Sequence, residues 1–224
     1  MGKQKAEKRE DKAECRKQNV EMGEREWESR KQKPQGTGQI STFQISNVCF
    51  SPSRPLRVLF LGQVILRKGI QYLIEAARRL HGECIVFDVV GPIGISQAAV
   101  ASAPANVRFH GRSTRDQAGA WYQQADVFVL PTLSDGFALT QLEAMAHGLP
   151  VVTTPCCGDV VTDGADGFIV PPRDGEALAE AFLRYLAEPG LLRSQQEAAR
   201  VKAGQFSLDR LAANLLSLEQ SLLR

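Results

Sequence analysis

Residues 126–153 read DVFVLPTLSDGFALTQLEAMAHGLPVVT. The stretch begins with a β-branched and aromatic run over 126–130, followed by a loop carrying Pro131, Asp135 and Gly136. A helical pattern over 138–147 and a second β-branched run over 150–153 complete it. Strand, glycine-bearing loop, helix and strand make the unit from which parallel sheets are assembled, because a parallel return needs a crossover helix. Neither run alternates polar with apolar residues, so both faces of the sheet must be covered.

The same alternation extends in both directions. Further strands are predicted over 57–63, 84–90, 106–110 and 167–170, and helices over 68–80, 96–103, 114–124, 175–187 and roughly 190–222. The last helix carries Leu211, Leu215, Leu218 and Leu222 as one stripe, which needs a surface to cover. This is the pattern of an α/β fold with a doubly wound parallel sheet. In such sheets ligands bind beyond the carboxyl ends of the strands where strand order reverses, which in the common order lies between the first and fourth strands.

Composition divides the chain. Residues 1–38 are dense in Lys, Arg, Glu and Gln and nearly free of Val, Ile, Leu and Phe. They read as a charged segment of low order, since they have too little apolar surface to offset the entropy of folding. Residues 39–56, punctuated by Pro and Ser, read as a linker. A single Rossmann-like domain is expected over 57–205, with 206–224 as its C-terminal helix. The chain has 224 residues and a net charge of +2, so nothing in its balance calls for nucleic acid or an anionic membrane. Its apolar runs fall far short of the ~20 residues of a transmembrane segment. Five cysteines without metal-type spacing, and no secretory signal, predict reduced thiols in a cytoplasmic protein. No metal site is expected: His81, His110 and His147 are scattered, and Cys156 beside Cys157 lacks a partner pair.

The loops after strands one and four are the most unusual. The first, GQVILRKG, runs from Gly62 to Gly69; the second, PTLSDGFA, runs from Pro131 to Ala138. Facing one crevice, they would offer Gly62 for close backbone approach and Lys68 at a helix start. The second loop would add Gly136 and the N–H groups of Phe137, Ala138 and Leu139 at another helix start. That combination suits a diphosphate. Asp135 and Glu143 are eight positions apart, roughly 12 Å along a helix at ~1.5 Å per residue. Glycosidase carboxylates sit about 5 to 9.5 Å apart, so a proton-transfer pair is disfavoured. Two grips on different parts of one extended ligand fit better. Glu143 also lies close to the apolar face of its helix, where a carboxylate needs a partner or a ligand. Other features have plainer readings: His110 as a structural or solvated strand end, Trp121 and Tyr122 as core or surface, and Gly91–Gly94 as a crevice wall.

VLFLGQVILRKGIQYLIEA (58–76), VRFHGRSTRDQAGAWYQQADVFVLPTLSDGFALTQLEAMAHGLPVVTTP (107–155) and DGADGFIVPPRDGEALAEAF (163–182) together resemble the C-terminal, donor-binding domain of group 1 glycosyltransferases. That family consists of retaining enzymes of GT-B fold. The resemblance implies that Asp135 and Glu143 stand in the family's E-x7-E motif, Glu143 holding the ribose hydroxyls of the nucleotide and Asp135 meeting the donor sugar. It further implies that the amides of Phe137, Ala138 and Leu139 bind the diphosphate and that Lys68 is the phosphate-binding lysine. Gln63 replaces the usual arginine, leaving Lys68 and Arg67 to neutralise the diphosphate, with no cofactor implied. Transfer from a nucleotide-diphosphate sugar to an acceptor hydroxyl with retention is the implied reaction. Family members bind the acceptor on a second, N-terminal domain, for which this chain has no room. The acceptor half would then come from a separate subunit, or be missing through truncation, frameshift or a misplaced start. A non-catalytic nucleotide-sugar-binding module and, less well matched, a dinucleotide oxidoreductase domain are the alternative classes.

Overall fold

The computed structural model describes residues 54–206. The charged segment 1–38, most of the linker, residues 207–224 of the C-terminal helix and the stripe of Leu211, Leu215, Leu218 and Leu222 lie outside the described residues. Six strands form one sheet: β1 (Leu56–Leu61), β2 (Ile85–Val90), β3 (Val107–Gly111), β4 (Val127–Leu130), β5 (Val151–Thr153) and β6 (Gly167–Ile169). All neighbours pair in parallel, in the order β3-β2-β1-β4-β5-β6. The order reverses between β1 and β4, the switch point expected for a doubly wound sheet.

The helices are α1 (Ile70–Arg79), α2 (Gln97–Ala101), α3 (Arg115–Gln124), α4 (Leu139–Ala146), α5 (Gly175–Ala187) and α6 (Pro189–Ala203). Right-handed crossovers in opposite directions from the switch point place α1 on one face of the sheet and α4 on the other. There α1 packs against α5, and α4 against α6. Every residue of β2, β4 and β5 is buried, as strands without polar alternation require. Phe87 of β2 meets Phe182 of α5 edge-on, ring centroids 5.3 Å apart, both rings fully buried in the core. Such a pair adds ~0.5–1.5 kcal/mol to what burial contributes.

The differences from sequence are local and have identifiable causes. β3 alternates Val107 and Phe109 inward with exposed Arg108 and His110, because it is an edge strand. Residues 54–56, at the end of the predicted linker, join the fold: β1 starts at Leu56, and Arg54 makes a two-pronged ion pair with Asp126 at 2.7 and 2.8 Å. Of the helix predicted over roughly 190–222, the described part runs from Pro189 to Ala203 and is followed by a 3-10 turn over Gly204–Phe206. Helix α1 begins at Ile70 and α4 at Leu139, each later than predicted, because Gly69 (φ 77°) and Ala138 (φ 52°) adopt left-handed backbone just before them.

Candidate functional site

The two unusual loops meet at the switch point. Leu133 N–H donates to the Arg67 carbonyl at 2.8 Å, and the Thr132 hydroxyl donates to the same oxygen at 3.2 Å. The Arg67 guanidinium reaches back to the Ser134 carbonyl at 2.6 Å. Beneath them, Gly69 lies so close to Pro131 that a Cβ there would sit 1.7 Å from the Pro131 carbonyl oxygen. The loop after β2 forms a side wall, with Val64 N–H donating to Pro92 at 3.0 Å and Gly94 N–H to Val64 at 2.9 Å. The loop after β5 forms the floor, where the Asp135 N–H donates to the Cys156 carbonyl at 2.9 Å.

Lys68 and Asp135, one from each loop, form an ion pair with both side chains only 16% exposed. The other Asp135 oxygen accepts the Gly136 N–H at 3.0 Å. Lys68 stands in a 3-10 turn over Leu66–Lys68, so Gly69 separates it from α1; it does not occupy the helix start predicted from sequence. One Arg67 nitrogen is taken by the Ser134 carbonyl, which tethers its exposed guanidinium across the two loops beside Lys68. Gln63 is exposed at the loop's beginning. Gly62 (φ 152°) faces open space where its Cβ would be, as does Gly136.

Both helices that open at this crevice lack a capping side chain: Gly69 precedes α1 and Ala138 precedes α4, with no acid in either first turn. Elsewhere, Ser96 caps α2, Gln117 accepts the Thr114 N–H at the start of α3 and Asp174 caps α5, while α6, which opens on Pro189, also lacks a side-chain cap. Uncapped N-termini leave N–H groups and the positive end of the helix dipole for a ligand. Phe137 and Leu139 are exposed beside the α4 start, 42% and 65% respectively, and Ala138 is half-buried between them.

Glu143 is exposed, and its helix turns Gln141, Ala144 and Met145 inward; the expectation of a carboxylate on the apolar side is corrected accordingly. Its carboxylate accepts a hydrogen bond from the buried Tyr122 hydroxyl at 2.8 Å. Asp135 lies in the loop, three residues ahead of Ala138, so the helical spacing of roughly 12 Å does not describe the pair. Two partnerships escaped the sequence reading, Lys68 with Asp135 and Tyr122 with Glu143. The second had a signal: a tyrosine buried beside a central strand needs an acceptor for its hydroxyl. His110 is structural, its Nε2 2.7 Å from buried Asp88 and its ring against Trp121, while Arg57 holds the other Asp88 oxygen at 2.8 Å.

Cys157 is no candidate nucleophile. Burial pushes its thiol up to about 11, against a smaller opposing effect from its 3.2 Å contact with the Thr153 hydroxyl. At pH 8 iodoacetamide is therefore expected to alkylate exposed Cys84 in the native protein and to spare Cys157 until unfolding. Peptide mapping that finds Cys157 modified as fast as Cys84 would contradict this.

The family model of glycosyl transferases group 1 matches residues 55–188, which contain both loops and both carboxylates. The chain belongs to the group 1 glycosyltransferases. A D-inositol 3-phosphate glycosyltransferase of Streptomyces bingchenggensis is 31% identical over 180 residues, covering 72% of this chain and 40% of that protein. Sucrose-phosphate synthase from Thermosynechococcus elongatus superposes with a TM-score of 0.65 at 28% identity, over 77% of this chain and 46% of that one. HepE of Anabaena, solved in complex with UDP, superposes with a TM-score of 0.65 at 18% identity, over 75% of this chain and 50% of that one. The chain spans less than half the length of the curated glycosyltransferases it matches. Membership of this family displaces the dinucleotide-oxidoreductase alternative. Among the described residues no helix is long and apolar enough to cross a membrane, and no group of three or more His, Cys, Asp or Glu side chains could hold a metal ion.

Proposed function

We propose that residues 57–205 form the donor-binding half of a cytoplasmic glycosyltransferase. It takes a nucleotide-diphosphate sugar and passes the glycosyl unit to an acceptor hydroxyl with retention, the acceptor being held by a separate half. The observation that carries the reading is the Lys68–Asp135 pair set between two uncapped helix N-termini at the switch point. The diphosphate takes Lys68 and the N–H groups of Phe137, Ala138 and Leu139, which stabilise the charge growing on the leaving group. Gly62 and Gly136 let backbone approach the ligand. Gln63 borders the phosphates, and Arg67 acts by holding the two loops together. Asp135 meets the sugar and Glu143 the ribose. Exposed Leu66, Ile93 and Phe137 on the loops at this end of the sheet, with Leu139 at the start of α4, support a partner surface there.

In this reading Lys68 must leave Asp135 to grip phosphate. Asp135→Asn is therefore expected to tighten binding of a sugar-free nucleoside diphosphate by about 5-fold, the order of a partly exposed ion pair. The same change lowers turnover of the sugar donor, because the contact to the glycosyl unit is lost. Calorimetry with UDP, GDP and ADP, beside donor hydrolysis and transfer with and without a candidate acceptor half, makes the test. Binding of none of the three nucleotides would refute the donor-binding reading. Binding without hydrolysis or transfer under any of these conditions would make the chain a non-catalytic nucleotide-sugar module.

A further inference from the structure

Glu143 presents a physical difficulty for the role proposed above. It is exposed on α4, and an exposed glutamate on a helix samples many rotamers that a ligand must freeze. The structure places a restraint on it from outside its own helix. Tyr122, on α3, is 2% exposed and donates its hydroxyl to Glu143 Oε2 at 2.8 Å. Its ring is itself held, against Phe128 of β4 with centroids 6.0 Å apart and against His147, just past the end of α4, at 5.1 Å. No other side-chain hydrogen bond or ion pair is made by Glu143 among the described residues. One carboxylate oxygen is thus fastened to a rigid core group, and the other is left open.

We infer that Tyr122 is a positioning residue, fixing Glu143 as a pre-oriented acceptor for a vicinal diol such as the ribose 2′- and 3′-hydroxyls. This deepens the proposed function and rests on it. The hydroxyl is a dependable donor. Burial, reinforced by the hydrogen bond and negative charge of Glu143, raises the Tyr122 pKa far above its ordinary value, so the proton stays on oxygen throughout the working pH range. The ordering of the glutamate is incurred in the free protein, so the diol meets an acceptor that has little freedom left to lose. A phenylalanine at 122 would keep the ring and its packing and release only the carboxylate.

The test takes whichever of UDP, GDP and ADP binds the unaltered chain most tightly, together with its 2′,3′-dideoxy counterpart. Tyr122→Phe is expected to weaken the ribonucleotide by roughly 10-fold, as loss of a charge-assisted hydrogen bond allows, and to leave the dideoxy form unchanged. Glu143→Asp, which withdraws the carboxylate from the hydroxyl without touching the core, should show the same selective loss. In a Glu143→Ala background, Tyr122→Phe should add less than about 2-fold. Equal weakening of both nucleotides, or ribonucleotide affinity unchanged in Tyr122→Phe, overturns the inference and leaves Tyr122 a packing residue. Failure of the unaltered chain to bind any of the three removes the nucleotide-donor reading itself and this inference with it.

Discussion

Lys68→Met is expected to weaken nucleoside-diphosphate binding by about 10- to 100-fold, from the ~1.5–3 kcal/mol of a hydrogen bond to a charged group. The size follows from how few cations are available. Gln63 is neutral, and the exposed Arg67 guanidinium is tethered by one nitrogen to the Ser134 carbonyl, which leaves Lys68 as the half-buried cation between the two loops. Its side chain is only 16% exposed, so its attraction to phosphate is less screened than that of a surface lysine. Methionine matches the length and keeps the apolar stem packed, isolating the charge. Asp135 loses its partner in this variant, so some stability goes as well; Lys68→Met with Asp135→Asn removes that complication and should bind as weakly as the single variant. Salt gives a second readout: affinity of the unaltered chain should fall with ionic strength, and the variant's dependence should be flatter. A dissociation constant within 3-fold of the original, measured by calorimetry on folded protein, would remove Lys68 from the site.

The fold was legible because its signal is carried by burial. Strands buried on both faces, such as Ile85–Val90 and Val127–Leu130, cannot tolerate polar alternation, and that requirement is written residue by residue. The switch point followed from element order alone. The site was legible in its residue types and loops and less so in its partnerships. Left-handed backbone at Gly69 and Ala138 shifted two helix starts; glycine announces such a turn, whereas alanine carries no local sign of it. Tyr122 and Glu143 lie 21 positions apart on different helices, joined by a contact that depends on how α3 and α4 pack around β4. The pairing of Lys68 with Asp135 spans 67 positions and arises only because β1 and β4 are neighbours. Helical periodicity misled at Glu143, since α4 is only eight residues long and its buried face is narrow.

Gly69→Ala should be the most damaging small substitution at the crevice. Its backbone sits at φ 77°, a conformation that costs an L-residue ~1–2 kcal/mol. A Cβ would also lie 1.7 Å from the Pro131 carbonyl oxygen and 2.6 Å from its carbon, both backbone atoms with no flexible end to swing aside. Either α1 or the loop after β4 must shift, and displacement of packed backbone adds ~1–3 kcal/mol. The sum, about 2–5 kcal/mol, corresponds to a fall of roughly 5–15 °C in melting temperature for a domain of this size. Gly82→Ala separates the two contributions, because Gly82 (φ 100°) is also left-handed but nothing lies within 4 Å of its would-be Cβ. That variant should lose only the conformational part. The function should respond differently too: widening the gap between Gly69 and Pro131 moves Lys68 away from the N–H groups at the start of α4, so Gly69→Ala should weaken nucleotide binding even where the protein remains folded, and Gly82→Ala should not. Thermal unfolding that falls equally in the two variants would show that the close approach of the loops contributes nothing. Equal nucleotide affinity would show that the ligand does not need Lys68 and the start of α4 held at this separation.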